Sequence, residues 1–321
     1  MPGPARTLRV VIPGGTGQIG RVLATHFCGQ GHNVTVLSRR PEPAPWQTVS
    51  WDGRDLGEWV TEIDGADVVI NLTGRSVNCR YTQANRREIM DSRILSTQAI
   101  GRAFAQASRP PKLWMNISTA TIYRHALDRA MDEATGELGG SEPDAPSTWR
   151  FSIDVARRWE QAFFDAPVPG TRKIALRSAM VMGPGSGGIF SVLLNLVRAG
   201  LGGKAASGRQ FISWIHETDF LRAMDFLIAH EDLDGCINIA APVPLPNSDF
   251  MRVLRQAYGT RIGLPASKWM LEIGAFFLRT ETELILKSRR VVPGRLLQAG
   301  FEFSFPEWEA AARDLVKHWR Q

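Results

Sequence analysis

The sequence predicts an α/β protein with a doubly wound parallel sheet and a smaller C-terminal lobe. Three observations predict it. An apolar strand, Val10-Val11-Ile12, runs into a turn bearing Gly14, Gly17 and Gly20, then into a helix marked by Ile19, Val22, Leu23 and Phe27. Strand and helix patterns alternate through the first half of the chain. Beyond Gly183-Pro184-Gly185 the alternation loosens and helical patterns dominate.

Each element has its own signal. Asn33 to Ser38 is a second apolar strand, and Gln47 to Trp51 a third, with Val49 and Trp51 in alternation. Leu56 to Ile63 reads as a short helix, and Ala66 to Leu72 as a buried strand. Ile89, Ile94, Ile100 and Phe104 mark a long helix from about Thr82 to Ala107, which Pro110-Pro111 stops. Leu113 to Ser118 is the fifth strand. Helices of this length between strands imply right-handed crossovers and a parallel sheet. Arg124 to Thr148, acidic and rich in turn residues, reads as a surface loop. A helix from Thr148 to Phe164 and a strand from Lys173 to Arg177 follow. Further helices are expected at Phe190–Ala199, Thr218–Ala229, Asn247–Tyr258, Ser267–Leu278 and Glu307–His318, with a short strand at Cys236–Ala240.

Composition bounds the function. A chain of 321 residues, 44% hydrophobic and 22% charged, can bury a large core. No run is long and apolar enough to span a membrane. Met1 to Thr7 holds no apolar core of a secretory signal, so a cytoplasmic protein is expected. Cys28, Cys79 and Cys236 are scattered, with no Cys-x-x-Cys and no Cys/His cluster, so neither disulfides nor a metal are expected. The net charge of +6 is spread over short pairs: Arg39-Arg40, Arg86-Arg87, Arg157-Arg158 and Arg289-Arg290. That spacing fits an anionic small ligand better than nucleic acid, which needs a clustered basic face.

The glycine turn is a candidate dinucleotide cradle. Gly14 permits the bend, Gly17 lets backbone approach a pyrophosphate, and Gly20 lets the helix pack close to the strand. Thr16, Gln18 and Ile19 share this turn, whose helix N-terminus offers free N–H groups to phosphate. An ordinary glycine-rich strand-to-helix turn is the alternative. The cofactor is chosen at the end of the second strand, where an NAD site places an acid for the ribose 2′-OH. Here the sequence reads Ser38-Arg39-Arg40. Guanidinium groups suit a 2′-phosphate, so NADP(H) is expected. Asn71-Leu72-Thr73-Gly74 ends the fourth strand, where Leu72 and Thr73 can line the adenosine and ribose. Ser118-Thr119-Ala120-Thr121-Ile122-Tyr123 ends the fifth, where a hydroxyl can bond a substrate oxygen beside the nicotinamide.

These three motifs together resemble the extended short-chain dehydrogenase/reductase superfamily, which includes nucleotide-sugar epimerases and dehydratases. Six later stretches resemble one atypical branch of it, an epimerase family with a DUF1731 C-terminal region. They are Trp159-Glu160, Arg177 to Gly183, Gly185-x-Gly187-Gly188, Gly208-x-Gln210 on to His216, Asn238 to Pro242, and the tail from Arg290 to Phe301. The resemblance implies a Rossmann NADP-binding domain over residues 1–183 and a substrate-side lobe over 184–321. That boundary is soft, because a late strand can return to the sheet. It also implies that Arg39 and Ser38 hold the 2′-phosphate with Arg40 beside them. Leu72, Thr73 and Gly74 flank the adenosine side, Ser118, Glu88 and Arg93 reach the cofactor, and Met180 lies by the nicotinamide. Without the resemblance, Glu88 and Arg93 read as an exposed helical face.

One departure matters for chemistry. The superfamily's Tyr-x-x-x-Lys pair supplies its general acid, the lysine lowering the tyrosine pKa. Four residues after Tyr81, Tyr123 and Tyr258 stand Asn85, Leu127 and Ile262, so no such pair exists. Counted back from Trp159-Glu160, the pair falls near Ser152 and Ala156. Thr119 stands where the catalytic hydroxyl would be. Tyr123 reads as a core residue, and Asp154 and Glu160 as helix-surface charges. His216 is either a proton donor or a structural histidine. Two functions stay open. One is an NADP(H)-dependent oxidoreductase or epimerase-like enzyme with a non-standard acid, acting on an unknown small molecule. The other is a catalytically silent NADPH-binding protein that reports redox state.

Overall fold

The structure, a computed structural model, describes residues 6–267, 269–270 and 281–320. Seven parallel strands form the central sheet: β1 (Arg9–Pro13), β2 (Asn33–Ser38), β3 (Gln47–Ser50), β4 (Val68–Asn71), β5 (Leu113–Thr119), β6 (Arg172–Ser178) and β10 (Gly235–Ile239). Their spatial order is β10-β6-β5-β4-β1-β2-β3. The order reverses at β1, which pairs with β2 on one side and β4 on the other. Ligands of doubly wound sheets bind at such a switch point, outside the strand C-termini. The seventh strand, β10, comes from beyond residue 183 and pairs with β6 in parallel register, Ile237 opposite Leu176.

Alternating residues of one strand feed opposite faces of the sheet. Val10, Ile12, Val36 and Ile70 pack with Leu23 and Phe27 of α1 (Gln18–Gly29) and with Phe220 and Met224 of α6 (Glu217–Ala229). Val11, Leu37, Val69 and Trp114 face the other way. There they meet Ile63 of α2 (Val60–Ile63), Ile100 and Phe104 of α3 (Gln83–Gln106), and Phe163 of α4 (Ser147–Phe164). Near-continuous apolar strands follow from cover on both faces. α2 starts at Val60, not at Leu56, and the stretch before it opens with a turn in which Asp52 Oδ1 accepts the Arg54 and Asp55 amides.

The C-terminal lobe has a core of its own. α5 (Ile189–Arg198), α7 (Asn247–Tyr258) and, last in the chain, α10 (Trp308–Trp319) enclose Phe190, Leu194, Phe250, Leu254, Trp214 and Trp308. Two small ladders escaped the sequence reading: β7 (Met180–Met182) beside β9 (Trp214–His216), and β8 (Phe211–Ile212) beside β11 (Leu245–Pro246). So did the short helices α8 (Glu283–Leu286) and α9 (Gly294–Gln298). All are under six residues, too short for periodicity to register. The helix expected at Ser267–Leu278 lies for the most part outside the described residues.

One expectation is corrected. The stretch from Arg124 to Thr148 is not simply a surface loop. Ala126 and Met131 are fully buried beside Tyr123 and Val291. Met131 exchanges backbone hydrogen bonds with Arg290 and Val292. Glu133 turns inward, where its carboxylate accepts the Asn238 and Arg295 amides at 2.7 and 3.2 Å. Burial nonetheless raises its pKa.

Candidate functional site

The glycine turn leaves β1 at the switch point. Gly14 adopts φ +76°, and a Cβ there would lie 2.8 Å from Thr73 Cα and N. Both facts exclude a side chain. Its amide donates to Leu37 O at 2.9 Å, and Leu72 N donates to Pro13 O at 2.9 Å, tying the turn between β2 and β4. A Cβ at Gly20 would lie 2.5 Å from the Gly15 carbonyl carbon and oxygen, so the helix packs on the turn as closely as backbone allows. At Gly17 the nearest atom to a Cβ is Gly14 O at 3.9 Å, leaving open space. Gly17 caps α1 without a side-chain hydrogen bond, and the first turn holds no acid.

Thr16 and Ser38 come together, their hydroxyls 3.2 Å apart. Ser38 Oγ accepts the Arg40 amide at 3.1 Å, shaping a turn that leaves Arg39 and Arg40 exposed. Gln18 lays its amide against Gly188, which caps α5 from the C-terminal lobe. Ile19 packs on the core below. At the end of β4, Asn71 accepts the Thr73 amide at 3.0 Å and donates to Asn116 Oδ1 at 2.7 Å. Thr97 joins this buried network, and Trp159 Nε1 donates to Thr97 Oγ1 at 3.0 Å.

Arg93 is inside the protein, not on an exposed helical face. Its guanidinium lies against Gly74, donates to the Arg75 and Ile89 carbonyls, and sits 5.0 Å from the Trp159 ring. Burial lowers its pKa to about 10. Glu88 stays outside and pairs with Arg75.

Glu160 is corrected from helix surface to core. It makes a fork-to-fork pair with Arg177 at 2.9 and 2.8 Å, both side chains less than 10% exposed. Ser118 donates its hydroxyl to the same carboxylate at 2.6 Å. Tyr123 is buried as expected of a core tyrosine. It accepts from Arg177 and donates to Asn238 Oδ1, both at 3.0 Å. Asp154 does lie on the surface, paired with Arg158 one turn on.

Beyond the ends of β4 and β5 lies a cavity of about 230 Å³. Leu72, Gly74, Ser118, Thr119 and Arg93 line it. Thr119 Oγ1 accepts the Thr121 amide at 3.1 Å, fixing the hydroxyl at the strand end. Ser152 and Ala156 line the wall formed by α4, with Trp159 beside them. The remaining wall went unseen in the sequence: Tyr81 from the loop before α3, and Glu283 and Arg289 from the C-terminal region. Arg289 donates to Thr121 Oγ1 at 3.0 Å, and Lys287 to Thr121 O at 2.6 Å. Lys287 is fully buried and Arg289 partly so. Burial lowers both pKa values, that of Lys287 to about 7. No local pattern marks these residues; in the sequence Arg289-Arg290 was only one more basic pair.

Two predicted residues lie elsewhere. Met180 packs on the C-terminal core, in register with Trp214. His216 caps α6, its Nδ1 accepting the Thr218 amide at 3.1 Å, and stacks on Phe305. Burial lowers its pKa against the pull of Asp314. One ring nitrogen thus serves as a helix cap, and the other lies 3.2 Å from Asp314 Oδ2.

Comparison with known proteins agrees with this geometry. The NAD dependent epimerase/dehydratase family matches residues 10–240, and a domain of unknown function, DUF1731, matches residues 266–315. "Epimerase family protein SDR39U1" of Bos taurus is 33% identical over 96% of this chain and 100% of its own length. "Epimerase family protein SSP1921" of Staphylococcus saprophyticus is 30% identical over 95% and 98%. The crystal structure of human SDR39U1 (isoform2) with NADPH superposes with a TM-score of 0.84 at 30% identity, covering 97% of this chain and 99% of that one. A nucleoside-diphosphate sugar epimerase from Corynebacterium glutamicum gives 0.75 at 27%, covering 97% of this chain and 59% of that one. The chain therefore belongs to the NAD-dependent epimerase/dehydratase family of Rossmann-fold proteins, as an atypical short-chain dehydrogenase/reductase with a DUF1731 C-terminal region.

Proposed function

We propose that the protein is an NADP(H)-dependent oxidoreductase, epimerase-like in architecture, that acts on a small carbonyl or alcohol in the cavity beside Thr119. One observation carries this reading. The glycine turn abuts Leu72 at the mouth of the cavity, and Thr119, Ser152 and Glu283 all line that cavity.

The residues fit a dinucleotide. Gly17 leaves open space where backbone must approach a pyrophosphate, and the uncapped, acid-free N-terminus of α1 favours anions. Gly14, Thr16, Gly17, Gln18, Ile19 and Gly20 would hold the pyrophosphate. Ser38, Arg39 and Arg40 would take the 2′-phosphate, and Leu72, Thr73 and Gly74 the adenosine side, with Ser118 and Arg93 further along. Human SDR39U1, crystallised with NADPH, supports the choice of NADP(H). When bound, the nicotinamide supplies or accepts a hydride. Thr119 orients the substrate oxygen, Arg93 and Arg289 contribute positive charge, and the wall of Trp159, Val155 and Phe151 excludes water.

The test is NADPH consumption, followed at 340 nm, across a panel of small carbonyl compounds. Wild type is expected to turn over at least one of them. Thr119→Ala is expected to lower that rate roughly 10²-fold, the range of a lost oxyanion-type donor. NADPH binding without turnover of any compound would favour the silent redox reporter, which the Ser152 and Ala156 substitutions also fit.

A further inference from the structure

We propose that Glu283 carries the exchangeable proton of the cavity and stands in for the missing tyrosine. This rests on the oxidoreductase reading and names its acid.

The argument starts at Ser152, which stands where the family's tyrosine is expected. Its hydroxyl donates to Glu283 Oε2 at 2.5 Å. Tyr81 OH lies 3.4 Å from Ser152 Oγ, a weak contact. Hydrogen bonding therefore runs from Ser152 into Oε2. The other oxygen, Oε1, is buried and has no hydrogen-bond partner among the described residues. Glu283 as a whole is 1% exposed and lines the cavity. An ionised carboxylate with an orphaned oxygen in such a place is costly. A proton on Oε1 removes the charge and gives that atom a hydrogen to donate. Glu283 thus offers the cavity the same group as a tyrosine phenol, an O–H donor that becomes an anion when spent.

Charges on every side tune it. From its own segment come Arg289 and Lys287, which favour the anion, and Glu281, which opposes it. Tyr81 faces it from the loop before α3. Burial is the largest influence and raises the Glu283 pKa. Arg289 and Lys287 then stabilise the carboxylate left behind. The step balances. The O–H bond at Oε1 breaks, its electron pair stays on Glu283, and an O–H bond forms on the substrate oxygen, while the carbonyl carbon would take its hydride from NADPH, the reductant of the proposed reading. In the oxidative direction the carboxylate takes the proton back. Ketosteroid isomerase is a known precedent for a carboxyl kept protonated at neutral pH in an apolar site.

Difference infrared spectroscopy tests this without a known substrate. Wild type minus Glu283→Gln, titrated from acid to base, should show a protonated-carboxyl band. Its midpoint should lie above the ordinary glutamate value of about 4.3. Ser152→Ala should keep the band but shift its frequency and raise its midpoint, because it removes the hydrogen bond that Oε2 accepts. Thermal stability gives a second readout. A carboxyl whose pKa is raised by folding binds its proton more tightly in the native state. Its contribution to stability is therefore present at acid pH and lost as pH rises through the native pKa. Wild type should lose melting temperature relative to Glu283→Gln over that rise. A midpoint at or below the ordinary value, or an ionised carboxylate at every pH tested, would overturn the proposal. NADPH fluorescence titration separates the two readings. Tight binding with no protonated band sinks the Glu283 assignment alone, whereas loss of NADPH binding in wild type sinks the cofactor reading.

Discussion

Replacing Glu160 by alanine is expected to destabilise the protein by about 3–5 kcal/mol, the cost of breaking one side of a buried ion pair. Arg177, which a guanidinium's basicity keeps charged, would be left buried without the partner that offsets its burial. Ser118 would lose its 2.6 Å acceptor, and Cys236 Sγ its 3.7 Å contact. The damage would reach the site, since Ser118 and Thr119 end the same strand, and Tyr123 shares Arg177. Denaturant unfolding measures the loss. The double variant Glu160→Leu, Arg177→Met tests the mechanism. It removes both charges and should recover much of the stability, because replacing a buried pair with apolar groups is often neutral or better. A Glu160→Ala loss under about 1 kcal/mol would place the pair in the class of solvated surface bridges.

Two glycines of one turn are expected to fail in opposite ways. Gly20→Ala forces a methyl to 2.5 Å from the Gly15 carbonyl, and backbone cannot give as a flexible side chain can. The expected cost is about 1–3 kcal/mol of stability, with α1 pushed off the turn. Gly17→Ala meets only one atom, at 3.9 Å, and its backbone sits at an ordinary φ of −69°. It should fold as wild type does. Yet it fills the space where a pyrophosphate would approach, so NADPH affinity should fall tenfold or more, about 1.4 kcal/mol. Thermal melts and NADPH titrations on both variants check the split. Equal effects of the two on stability would mean that Gly17 serves packing, not a ligand.

The contrast explains which parts of the molecule the sequence made legible. β1, the turn and α1 were readable because everything that shapes them is local: an apolar run, three glycines at fixed spacing, and a helical stripe. α3 and α4 were readable for the same reason, since eighteen or more residues of periodicity leave little ambiguity. Glu160 and Glu133 were misread because charge alone looks solvated. Their partners, Arg177 and the Asn238 and Arg295 amides, arrive only when distant segments meet. The cavity shows this most sharply. Thr119 was visible at a strand end, but Glu283 reaches Ser152 across 131 positions, and Lys287 reaches Thr121 across 166. No periodicity spans such separations, and the absent Tyr-x-x-x-Lys pair left nothing to point to a substitute.

The central claim is that this site is built for NADP(H), with Arg39 reading the 2′-phosphate. The direct measurement is a pair of binding titrations, NADPH and NADH, on wild type and Arg39→Ala. Wild type should prefer NADPH. Arg39→Ala should weaken NADPH roughly 10- to 100-fold, the worth of a charge-assisted hydrogen bond of about 1.5–3 kcal/mol, and leave NADH nearly unchanged. Equal losses for both dinucleotides, or a wild type that prefers NADH, would contradict it.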